Sequence, residues 1–160
     1  MIEYIDTSEI TKAMCLALDR EITMDYAKDL INNASRPLIY AGYGCTLHRE
    51  LFHAFIDKLN IPVMLSWRAI DLLTDGHPLD AGRPGMFAPP SLYDCLDDAD
   101  LILVLGARID DSITNFDIDS FAPNAKKIVV DIDQAELDRL PDDYIKICQE
   151  VGEFMKEVMG

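Results

Sequence analysis

"DADLILVLGARIDDSITNF", residues 98–116, places the apolar run Leu101–Leu105 between an acidic lead-in and a Gly-Ala-Arg turn. The run is continuously apolar, not alternating, as a strand buried on both faces of a parallel sheet must be. The next stretch, "FAPNAKKIVVDIDQAEL" (121–137), has the same arrangement: an apolar strand over Lys127–Ile132, an acidic turn, then a helical segment over Gln134–Leu140. Strand, turn and helix in succession predict an α/β fold, doubly wound, with helices on both faces of the sheet.

Working outward, Leu38–Ala41, Ile61–Leu65 and Tyr144–Cys148 are further strands of the same type. Helical stretches separate them at Thr46–Leu59 and Ser91–Asp98, and Glu150–Met159 closes the chain with Val151, Phe154, Met155 and Val158 on one face. Near the start, Thr23 reads as the N-cap of a helix with Tyr26, Ala27, Leu30 and Ile31 at helical spacing, ended by Arg36-Pro37. Residues 1–22 are weakly patterned and read as an arm or linker with a short helix around Glu9–Leu18, which leaves 23–160 as the domain. Ser66–Pro90 breaks the alternation. It is too long for an ordinary βα connection, and it leaves the carboxyl end of a strand, where open α/β sheets bind ligands.

Composition narrows the function. Fourteen basic against 29 acidic residues give a formal charge of −15, a surface that repels nucleic acid and anionic lipid, so neither is an expected partner. No apolar run approaches the ~20 residues of a membrane span, and the acidic N-terminus lacks the pattern of a secretory signal. Cys15, Cys45, Cys95 and Cys148 are scattered without C-x-x-C spacing, which points to reduced thiols in a cytoplasmic protein and against a zinc site.

The turn in "RPLIYAGYGCTLHREL" (36–51) begins like a dinucleotide fingerprint. Gly42 and Gly44 fill the first two places of G-x-G-x-x-G, but Leu47 stands at the third. Ser66 and Trp67 occupy the end of the second strand, where an acidic residue would bind the ribose. Ordinary NAD or ATP binding is therefore disfavoured, and a plain tight turn is the alternative reading of the two glycines.

Taken together, the motifs at 98–116 and 121–137, with "RPLIYAGYG" and "LNIPVMLSWRAIDLLTDGHPLDAGRPG" in order before them, resemble the central domain of thiamine-diphosphate-dependent enzymes of the acetolactate synthase-like group. The likeness covers roughly residues 23–140. It implies a six-stranded, Rossmann-like parallel sheet of the DHS-like NAD/FAD-binding type, the middle one of three domains. The flanking two would bind the pyrimidine and the diphosphate with magnesium. The diphosphate–magnesium motif is missing here. Thr74-Asp75-Gly76 is its nearest match and lacks the first glycine and the later asparagine. The chain alone is thus expected to bind neither thiamine diphosphate nor a metal and to contain no catalytic residue.

In flavin-binding relatives the resemblance implies contacts from the first turn, here Gly42, Tyr43 and Gly44, and from the loop Ser66, Trp67 and Arg68. The turn Gly106, Ala107 and Arg108, with Asp131, Ile132 and Asp133, completes the adenosine side. FAD or ADP is the cofactor so implied. Glycines let backbone N–H groups approach phosphate, Arg108 can fork onto an anion, and Asp131 can accept from ribose hydroxyls. Two departures weigh against flavin: Tyr43 replaces a glycine, and Ser112 replaces an arginine after Asp110-Asp111. They imply a weakened or vestigial site, with Arg68, Arg83 and Arg108 left to balance the aspartates.

Each residue also has a plainer role. Asp110 can cap the following segment, Arg108 can pair with Asp131 or Asp133, Trp67 can pack at a domain junction, and His77 can serve a turn. His48 and His53 read as surface or edge residues. Three functions compete: a non-catalytic scaffold within a 2-keto acid decarboxylase or acetolactate synthase-like enzyme, a stand-alone FAD/ADP-binding or assembly subunit, and an NAD-consuming deacylase. The cysteine spacing argues against the last. Met1 ahead of the arm and Gly160 directly after a helix read as boundaries of an excised domain as much as natural ends. A lone domain should expose faces its neighbours cover, so Phe52, Phe55, Trp67 and Phe87 are expected exposed and the chain is expected to form homo-oligomers.

Overall fold

The computed structural model describes residues 7–160, with side chains from Asp19 onward. Residues 1–6 of the expected arm lie outside the described residues. Helix α1 (Thr7–Asn33) runs unbroken through position 23, so Thr23 does not cap a helix. Its hydroxyl instead donates to the carbonyl of Asp19, 2.8 Å away, one turn back. Back-bonding of this kind satisfies a threonine inside a helix, and the local pattern could not distinguish it from a cap.

The chain then alternates between strand and helix. After β1 (Pro37–Ala41) come the short α2 (Tyr43–Thr46) and α3 (Arg49–Leu59), then β2 (Val63–Leu65) and β3 (Asp80–Gly82). Next are α4 (Pro90–Asp98), β4 (Leu101–Leu105), α5 (Asp111–Thr114), β5 (Lys126–Asp131) and α6 (Gln134–Asp138). β6 (Ile145–Cys148) and α7 (Val151–Met159) close the fold. All pairings are parallel, in the order β3-β2-β1-β4-β5-β6. This is the doubly wound order in which the chain reverses direction across the sheet between β1 and β4.

Alternation along each strand divides the core into two layers. Ile39, Val63, Leu103 and Val130 face α1, α3 and α7 together with Phe52, Phe55 and Phe154. Leu38, Met64, Val104 and Val129 face the opposite layer with Leu96, Phe121 and Leu137. Phe52 and Phe55 are therefore fully buried, against expectation. They share one side of α3 with Ile56, and that side faces the sheet. Trp67 and Phe87 are exposed at 71% and 94%.

Two other expectations are corrected. The helix drawn over Thr46–Leu59 is two helices, broken at Leu47 and His48, where His48 takes φ −130°, ψ 43°. Within the long segment 66–90 lies β3, which pairs with β2 at the sheet edge. Its residues Asp80, Ala81 and Gly82 are only half-buried, so no apolar run announces it.

Candidate functional site

Five strand ends converge at the carboxyl edge of the sheet, around the β1/β4 switch point, and enclose a cleft of about 480 Å³. The turn after β1 contributes Tyr43 and Gly44, and the segment after β2 contributes Ser66, Trp67 and Arg68. Gly106, Ala107 and Arg108 follow β4, and Asp131, Ile132 and Asp133 end and follow β5. Of the twelve residues expected to contact a nucleotide, Gly42 alone does not line the cleft.

Gly42 lies beneath it. A side chain there would place Cβ 2.2 Å from the Gly106 carbonyl oxygen and 2.4 Å from Ala107 Cα. Gly106 itself sits at φ +55°, in the left-handed region that favours glycine. The two turns thus lock together: Gly42 N–H donates to Leu105 O at 2.9 Å, and Gly44 N–H to Gly106 O at 3.2 Å. The next donor, Cys45 N–H, goes to Gly42 O at 3.0 Å. Glycine here serves close packing of two loops, and these three N–H groups are already engaged.

The charged groups of the cleft are largely engaged as well. Asp110 caps α5, its carboxylate accepting from the N–H and hydroxyl of Ser112. Asp133 caps α6 through Ala135 N–H at 3.0 Å, and its own N–H donates to Asp131 at 2.9 Å. Arg68 lies over the Tyr43 ring, 4.6 Å from its centroid, a cation–π contact. Arg108 stands 3.6 Å from Glu136 and pairs with neither Asp131 nor Asp133. Arg83 is paired with Asp80 at 3.1 Å and donates to the Ile70 carbonyl, away from the cleft.

Further lining residues were not singled out by pattern. Glu150, the cap of α7, accepts from Glu153 N–H and pairs with His48 Nε2 at 2.5 Å. Burial alone would raise its carboxyl, but the N–H groups of Gly152 and Glu153, and then His48, hold it below the ordinary value. His48 thus has a structural partner at the base of the cleft and is not a free surface residue. Tyr40, at the end of β1, is 3% exposed yet lines the cleft. Burial, reinforced by Asp110, pushes its phenol well up, so it remains a hydrogen-bond donor at any ordinary pH. Leu47, in the break between α2 and α3, adds an exposed apolar wall at 65%.

Negative charge outweighs positive charge in this lining. Four carboxylates (Asp110, Asp131, Asp133 and Glu150) face two guanidinium groups, those of Arg68 and Arg108. Arg68 lies over Tyr43 and Arg108 stands near Glu136, and the N–H groups of Gly42, Gly44 and Cys45 are taken by neighbouring carbonyls. Among the described residues, no group of three or more His, Cys, Asp or Glu side chains is placed to hold a metal ion. No described helix is long and apolar enough to cross a membrane.

Residues 24–158 match the family model "Thiamine pyrophosphate enzyme, central domain". The chain is 34% identical over 148 residues to the acetolactate synthase isozyme 1 large subunit of Escherichia coli, spanning 92% of this chain and 26% of that protein. It is 34% identical over 139 residues to the acetolactate synthase large subunit of Corynebacterium glutamicum, spanning 85% of this chain and 22% of that one. A chloroplastic acetolactate synthase 1 of Zea mays is 34% identical over 122 residues, spanning 76% of this chain and 19% of the relative. The chain therefore spans about a quarter or less of the length of these relatives.

Proposed function

The chain belongs to the central-domain family of thiamine pyrophosphate enzymes, and from that premise we propose that residues 23–160 act as a non-catalytic scaffold. In this reading the domain bridges a pyrimidine-binding and a diphosphate- and magnesium-binding domain of an acetolactate synthase-like enzyme acting on a 2-keto acid. Thiamine diphosphate held by those neighbours supplies the carbanion chemistry, while this domain sets their spacing and carries a nucleotide-type cleft. A cytoplasmic setting suits Cys45, Cys95 and Cys148, which are unpaired among the described residues.

The carrying observation is how the carboxylates of the cleft are used. Asp110, Asp133 and Glu150 each accept backbone N–H groups at the start of a helix. A carboxylate so engaged stabilises its own helix and is poorly placed to move a proton. The site is thus built to hold the fold's edge in shape.

The test is direct. The 160-residue chain, supplied with thiamine diphosphate, Mg²⁺ and pyruvate, should release no CO₂ above a protein-free control. Calorimetric titration with thiamine diphosphate and Mg²⁺ should give no binding heat. Sustained CO₂ release, or saturable binding, would overturn the scaffold reading. An immunoblot of native extract separates the alternative, a stand-alone nucleotide-binding or assembly subunit: a band of several times this chain's mass supports the scaffold, and a band at its own mass supports the subunit.

A further inference from the structure

On the reading of the cleft as a nucleotide-type site, we propose that it takes an uncharged, flat heteroaromatic ligand bearing hydrogen-bond donors, and that it discriminates against diphosphates. Three independent observations lead there. The first is the apolar wall. Leu47, Trp67 and Ile132 line the cleft while remaining 65%, 71% and 72% exposed, and Tyr43 stands beside them. Large apolar side chains gathered around one concavity are what a flat organic ligand needs.

The second is an open hydrogen-bonding group on the floor. Tyr40 is buried, lines the cleft, and has no hydrogen-bond partner for its phenol among the described residues. Its hydroxyl is open to the cleft, so an acceptor on the ligand is its natural complement. Beside it, Asp110 and Asp131 each use one carboxylate oxygen on a local N–H. Their second oxygens have no partner among the described residues and are acceptors for amino or hydroxyl groups.

The third is charge. With four carboxylates against two arginines, and the N–H groups of Gly42, Gly44 and Cys45 spent on Leu105, Gly106 and Gly42, added phosphates meet net repulsion that few donors offset. Neutral ligands escape that penalty and keep the aromatic and hydrogen-bonding contacts.

Trp67 is the chain's single tryptophan, so its fluorescence reports occupancy of the cleft. Titrations with adenosine, AMP and ADP, and separately with riboflavin and FMN, form two ladders of added phosphate, each on a constant ring system. The expected result is weakening along each series, with adenosine binding at least tenfold tighter than ADP and the gap narrowing as salt is raised from low to high. Tyr40→Phe, with its fold checked by thermal melting, should weaken adenosine about tenfold. ADP binding as tightly as adenosine, or FMN as tightly as riboflavin, would overturn the proposal. So would saturable binding unaffected by Tyr40→Phe. Absence of binding by every probe at millimolar concentration would overturn it too, yet would leave the scaffold reading intact, since that reading is decided by CO₂ release and thiamine diphosphate binding.

Discussion

Gly42 shows how one residue can be fixed by its surroundings. Its missing Cβ is the space occupied by the Gly106 carbonyl and the Ala107 backbone. Backbone cannot rotate away as a side-chain end can, so Gly42→Ala should force the two turns apart and cost roughly 1–3 kcal/mol or more. Gly44→Ala meets its neighbours only at 3.0 and 3.3 Å and should cost less. Urea unfolding midpoints for the pair check this, and a Gly42→Ala midpoint equal to wild type would refute the locked-turn account. Asp100 is a second fixed point, accepting from the N–H groups of Ser35 at 2.7 Å and Arg36 at 2.9 Å. Burial would raise its carboxyl, but those two N–H bonds, with the Arg36 charge behind them, outweigh it and hold the carboxyl below its ordinary value. A depressed carboxyl contributes stability that is complete above the unfolded pKa, near 3.9, and is lost as pH falls through the folded value. Asp100→Asn should therefore cost about 1 kcal/mol or less at pH 7, since water screens this exposed carboxyl, with the difference from wild type shrinking below pH 4. A difference that stays constant down to pH 2 would rule out this origin.

At the scale of elements, legibility followed burial. β4 was readable to the residue because each of its side chains is buried, which imposes a continuous apolar run. β3 was not, because an edge strand of three half-buried residues places no such demand on sequence. The aromatics expected exposed show the converse limit: composition identified Phe52 and Phe55 as large apolar groups, but only the face of α3 decided that they point inward. Phe55→Ala should accordingly cost about 3–5 kcal/mol, measurable as a lowered denaturation midpoint. A loss below 1 kcal/mol would mean that α3 does not bear on the sheet as described. The candidate site divides similarly. Its glycine turns and acidic turn were legible because backbone geometry restricts them to few residue types. Tyr40, Leu47 and Glu150 were not, since a strand end, a helix break and a helix cap acquire meaning only when five strand ends meet. Asp133→Ala, removing the cap of α6, should cost about 1 kcal/mol and disturb Asp131 through the lost order of that turn.

For the whole molecule, two surface properties oppose one another. A charge of −15 keeps copies apart, while Phe87 at 94% exposure, Trp67, Met86 and Phe116 offer apolar contact. The relatives are roughly three and a half to four times this chain's length, and such groups are natural contacts for neighbouring domains. Alone, the chain has only its own copies to cover them. Repulsion between like-charged copies weakens as salt screens it, and apolar attraction does not. Self-association of the isolated chain should therefore strengthen between 0.05 M and 0.5 M NaCl, opposite to the trend for an interface of ion pairs. Trp67→Ser combined with Phe87→Ser should weaken it by removing the most exposed aromatics of the segment after β2. Sedimentation velocity at several concentrations reads both effects. A chain that stays monomeric in high salt, or one whose association is unchanged by the double substitution, would mean that the exposed aromatics do not form a self-association surface.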